Sequence, residues 1–204
     1  MRRVRSGAAG WLLGIGALSA CALPAGAPGT LAGPEALPPP GFGTLHQDQV
    51  TVSITSGSLQ IKVTPLAESV TRTTAPDTYR RLSGLAGRFG ADAVRSTGAD
   101  DPALFLVSFF SESPDAAFVP EELQLISRGQ RLRPGAILAV TPGWGQRRLE
   151  QRETEMAVYA FGEGVDLESE LVVVYGLVES NAWAAILPRV QAERARARAR
   201  GEAR

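Results

Sequence analysis

The sequence predicts a mainly β protein, an antiparallel sandwich of about seven strands with one helical insertion and a C-terminal helix. Three observations carry that expectation. Apolar and polar residues alternate at Val50, Val52 and Ile54, and again at Leu59, Ile61 and Val63. Further apolar runs follow, separated by glycine and proline turn formers. Two segments show helical spacing instead. A half-open barrel is the rival architecture.

The first two runs flank Ser56-Gly57 and read as a hairpin with one apolar face. A helix follows over residues 76–90. Pro76 suits its first turn, Gly90 suits its stop, and Tyr79, Leu82, Leu85, Ala86 and Phe89 share a face. Gly84 and Gly87 weaken it, and Arg80, Arg81 and Arg88 should face solvent. Residues 104–110 are almost continuously apolar, the mark of a central strand. Leu123, Leu125 and Ser127 line one face of the next strand. Turns at Gly129-Gln130 and Pro134-Gly135 lead to a strand at 137–140. Strands around 156–161 and 171–175 complete the set. The C-terminal helix should begin near Ala182, with Trp183, Ile186, Leu187 and Val190 apolar and Trp183 in the core. Pro188 inside it is a difficulty, because proline removes a ladder bond, and the competing reading starts the helix near Pro188 with residues 183–187 finishing a strand. Past Val190 arginine alternates with alanine and no apolar face continues, so fraying is expected. The sandwich would then occupy 46–178, and the helix with its arginine-rich tail 179–204.

The pattern resembles the immunoglobulin-like architecture only broadly, since the antibody-type Cys…Trp…Cys arrangement is absent. Ahead of the domain, residues 22–45 alternate proline and glycine, including Pro38-Pro39-Pro40, and read as an extended tether. The first twenty residues have a basic start at Arg2, Arg3 and Arg5, then an uncharged apolar stretch. They end in Leu18-Ser19-Ala20-Cys21, and Cys21 is the only cysteine. This segment resembles the signal peptide and lipobox of bacterial lipoproteins. The resemblance implies cleavage before Cys21, acylation of that residue, and a mature chain of 184 of the 204 residues. Two or more acyl chains anchor stably where one does not. Ala22 after the cysteine implies the outer membrane if the cell has two. An ordinary signal cut after Ala25 or Ala27, or an uncleaved helix, are the competing readings.

Charge is balanced, with 21 basic and 21 acidic residues, so no bulk field favours nucleic acid. His46 is the only histidine, and Cys21 would be consumed by lipid. Histidine-based nucleophile schemes and histidine or thiolate zinc sites therefore lack their residues. No cofactor is implied, and the chain reads as a non-enzyme. Glu150, Glu153 and Glu155, and Asp166, Glu168 and Glu170 at strand spacing, are read as solvated faces rather than a calcium site or glycosidase pair. Candidate contact residues are Trp144, in a glycine-flanked loop, and the tail arginines Arg194, Arg196, Arg198 and Arg200. Trp144 either binds a partner or folds back to close the sandwich. The tail either meets an anionic surface or stays solvated. The expected function is an envelope lipoprotein whose domain binds or assembles with another envelope protein or a wall component. The alternative is a carbohydrate- or metal-binding domain.

Overall fold

The computed structural model describes residues 36–203. Cys21 and the tether through residue 35 lie outside the described residues. The described fold is mainly β, with eleven strands in antiparallel sheets and no closed barrel. In chain order these are β1 Val52–Ser56, β2 Leu59–Pro65, β3 Ala103–Ser111, β4 Ala116–Ala117, β5 Leu123–Ser127 and β6 Gln130–Leu132. They continue with β7 Ala136–Ala139, β8 Arg148–Leu149, β9 Glu153–Phe161, β10 Leu171–Tyr175 and β11 Val178–Ser180. The helices are α1 Glu68–Thr71, α2 Pro76–Thr97 and α3 Trp183–Glu202.

One sheet runs β1-β2-β3-β9-β7 and the other β11-β10-β5-β6, while β4 and β8 form a small ribbon. The alternation in β1 and β2 sends Val52, Ile54, Leu59, Ile61 and Val63 inward. They meet Leu123, Leu125, Leu171, Val173 and Tyr175 from the facing sheet in one core. The central strands β3 and β9 are apolar on both faces. Phe105, Val107 and Phe109 point into that core, while Leu106 and Val158 point outward beneath α2. Burial on two sides is why residues 104–110 show no alternation.

All seven expected strands are present. The short β4, β6, β8 and β11, of two or three residues each, are too brief for a periodic signal. Val50 belongs to a 3₁₀ turn, Gln47–Val50, rather than to β1, although it is fully buried. Asp166, Glu168 and Glu170 lie in the turns before β10, so they share no strand face.

Helix α2 starts on Pro76 as expected but passes Gly90 and stops at Thr97. Its packed stripe runs from Leu82 through Phe89 to Ala93, so the last turn is held by tertiary contact. Gly84, Gly87 and Gly90 face open space and cost about 1 kcal/mol each against alanine. The true stop is Gly98 in the left-handed conformation, φ +70°, whose N–H caps Val94.

Two expectations about the chain ends are corrected. The proline-glycine segment is not a free tether as far as Leu45. Leu45 is buried and bridges Thr74, with Leu45 N–H donating to Thr73 O at 3.1 Å and Ala75 N–H to Leu45 O at 2.9 Å. Gly43 lies so close to Thr73 that a Cβ there would overlap its carbonyl carbon. The C-terminal tail does not fray, because α3 continues to Glu202. Its buried face is Trp183, Ile186, Val190, Glu193, Arg194 and Ala197, keeping three- and four-residue spacing after the apolar residues end. Pro188 sits inside α3 but on its exposed side, where the carbonyl it leaves unpaired reaches solvent.

Candidate functional site

Strand register defines two ends of the sandwich. Leu59, Ser111 and Glu153 share one end, with Tyr175 and Leu123 in the facing sheet. Pro65, Ala103 and Phe161 share the other, beside α1 and α3. The first is the turn end and the second the helical end.

Trp144 closes the turn end from inside. It is carried by the 3₁₀ turn Pro142–Gln146 and is 8% exposed. Its ring lies 5.2 Å from Phe118, 5.7 Å from Phe109 and 6.1 Å from Tyr159. Tyr159 OH donates to Pro120 O at 2.9 Å, and burial pushes its phenol pKa far up. Tyr175, also raised chiefly by burial, accepts Val119 N–H on its hydroxyl oxygen. Trp144 therefore offers no face to a partner, because its apolar area is spent on the aromatic cluster.

The tail arginines are mostly engaged in the fold rather than offered to a polyanion. Arg194 is 8% exposed and donates Nε to Ser69 O at 2.7 Å and Nη1 to Glu168 Oε2 at 2.7 Å. Its Nη2 lies 2.6 Å from Glu168 Oε1. Arg198 donates to Ala36 O at 3.2 Å. Arg200 donates Nε and Nη2 to Phe42 O at 2.9 and 2.7 Å and also pairs with Glu193. Arg196 is the exposed member, 3.8 Å from Glu193. Glu193 is 2% exposed and accepts Thr44 N–H at 3.0 Å and Thr44 Oγ1–H at 2.8 Å. Together these bonds clamp residues 36–44 against α3. The partners are about 150 residues apart in sequence, so no local pattern announces them.

A cleft of about 430 Å³ opens at the helical end. Its apolar wall comprises Leu66, Ala86, Pro102, Leu104, Val165 and Leu167, and Glu68, Asp101 and Glu168 stand around it. Glu68 is fixed by Arg72 and by the hydroxyls of Tyr79 and Ser83, each at 3.3 Å. Arg194 hydrogen bonding holds the Glu168 carboxyl below its ordinary pKa, against partial burial. Asp166 is likewise lowered, first by the Glu168 N–H and then by Arg128. Asp101 has no ionic partner among the described residues.

The turn end is apolar at its tip and acidic around it. Gly176, at φ +57°, and Leu177 make the two-residue turn joining β10 to β11. Leu177 is wholly exposed. It, Val178 and Val119 are three of the five large apolar residues exposed in the described chain. Glu121 pairs with Arg147 and Asp115 with Arg148, whereas Glu112 and Glu122 have no basic partner among the described residues. No periodic pattern in the sequence marks this surface. The only available signal was a leucine following glycine in a tight turn.

Among the described residues no three His, Cys, Asp or Glu side chains converge as metal ligands. Glu155 departs from the expected solvated face: it is buried on the inner side of β9 and accepts Thr141 Oγ1–H, while Glu153 accepts the N–H of Glu150. No described helix is long and apolar enough to cross a membrane. Comparison with protein-family models, curated proteins and solved structures finds no match to this chain.

Proposed function

We propose that this chain is a lipid-anchored envelope protein whose sandwich serves as a non-catalytic binding or assembly module. The anchor is Cys21, on the lipobox resemblance, and Ala22 directs it to the outer membrane where the cell has two. The observation that carries the reading is the clamp on residues 36–44. It fixes the chain's entry at the helical end, so a pull on the anchor meets helix α3 and not a loose strand. The opposite end then carries the exposed Leu177, Val178 and Val119, rimmed by carboxylates. A protein or wall partner with an apolar recess and basic margin fits that tip. An anionic lipid surface is a poorer match there, because Glu112 and Glu122 would repel it. The carbohydrate-binding alternative draws less support, since Trp144 has no open face for stacking.

Membrane fractionation and intact-mass analysis test the anchor. The mature chain should begin at Cys21 with acyl mass, and Cys21→Ser should leave the membrane fraction. A mature chain starting at Ala22 or later would overturn the anchor. Photocrosslinkers placed at positions 177 and 62 of the anchored protein test the tip. A discrete adduct from 177, absent from 62 and lost with Glu122→Arg, supports it. Equal labelling from both positions would overturn it.

A further inference from the structure

The cleft at the helical end plays no part in the anchoring or the tip. We propose that it binds a small amphiphilic amine, with the apolar body between α2 and the 165–168 turn and the ammonium group at Asp101. Its volume of about 430 Å³ falls within the range of about 300–1,000 Å³ of small-molecule sites. That volume is far below what a two-chain lipid requires.

The wall sets the apolar half of the ligand. Leu66 in the β2–α1 connection, Ala86 on α2 and Leu104 on β3 pack in one apolar cluster, so the fold itself holds that wall in place. The charges set the polar half. Three carboxylates line the cleft, and two are already compensated, Glu68 by Arg72 and Glu168 by Arg194. Those pairs are held by further bonds from Tyr79 and Ser83 and onto Ser69 O, so they will not swing away to meet a ligand. Asp101 alone is uncompensated and stands on the exposed loop before β3. The cleft therefore carries one net negative charge beside an apolar wall. An anion of the same shape would face Asp101 unfavourably, and a neutral molecule would gain only the wall.

The test uses the full chain in phosphatidylcholine nanodiscs, with alanine methyl groups labelled for NMR. Phenethylamine is titrated beside 3-phenylpropionate and 3-phenylpropanol, which share its ring but differ in charge. The amine should saturably shift the methyl groups of Ala67, Ala86 and Ala103. It should bind more tightly than the alcohol by up to about fivefold, the upper end of the span expected for one exposed ion pair. The carboxylate should bind more weakly than either. Asp101→Asn should erase the amine's advantage, and Asp101→Glu should restore it. Equal binding of the three probes, shifts scattered outside the cleft, or an Asp101→Asn variant that still prefers the amine would each overturn the assignment. Loss of the lipid anchor would leave all of these outcomes unchanged, so the two readings fail separately.

Discussion

Removing the Glu193 carboxylate should unlock both chain ends at once. In the native fold it accepts two bonds from Thr44, at 3.0 and 2.8 Å, and pairs with Arg200, while being 2% exposed. Breaking a fully buried charge pair costs about 3–5 kcal/mol, mostly because the surviving charge stays desolvated. That penalty must be discounted here. The Arg200 side chain is 40% exposed and that of Arg196 is 70% exposed, so both rehydrate. The main loss is two hydrogen bonds to a charged acceptor, each worth about 1.5–3 kcal/mol before water replaces them. Since Thr44 is exposed, water recovers part of that. Glu193→Ala should therefore cost about 2–3 kcal/mol. For a domain of this size each kcal/mol moves Tm by roughly 2–4 °C, giving a fall of roughly 4–12 °C. Glu193→Gln keeps an acceptor for Thr44 and should lose about half as much. Circular dichroism melts measure the shift, and hydrogen exchange locates it. The amides of Leu45 and Ala75 should exchange faster in the alanine variant, because their mutual ladder depends on the clamp. A Tm change under about 1 °C with unchanged protection at Leu45 would refute the clamp and return the tail to the status of a free arm.

Trp144→Ala should cost about 3–5 kcal/mol by cavity formation, read as loss of near-ultraviolet signal and a lower denaturation midpoint. Neutral stability would show that the aromatic cluster packs without it. Gly43→Ala should destabilise strongly, because its Cβ meets Thr73 backbone that cannot step aside. Urea midpoints equal to wild type would refute that close approach. Glu168 has a folded pKa below its ordinary 4.5, so its bond to Arg194 contributes fully at neutral pH. That contribution drains as pH falls below about 4.5 toward the lower folded value. Glu168→Gln should accordingly be less stable at pH 7 and show a flatter stability decline below about pH 4.5. Parallel curves for the two proteins would show that the ion pair is idle.

Local pattern was enough wherever a residue's role depends on its near neighbours. Alternation in β1 and β2 reports one buried face, because successive side chains on a strand point oppositely. The continuous run at 104–110 reports burial on both faces, and the stripe from Leu82 to Phe89 reports a packed helix. Tertiary structure decided the points where charge or glycine meets a distant partner. Glu193 and Arg194 read as solvated tail because a charge is costly to bury alone. They are buried because Thr44, Ser69 and Glu168 arrive from elsewhere in the chain to satisfy them. Gly90 reads as a helix stop, yet the β7 and β9 surface under the next turn carries α2 on to Gly98. Trp144 was ambiguous because a loop tryptophan can face either way, and four aromatics brought together by β3, β9, β10 and the loop at Phe118 drew it inward. Sequence spacing encodes the periodicity of single elements. The satisfaction of buried charges and the filling of an end cavity depend on which distant groups the fold delivers, and that is settled only when the sheets close over one core.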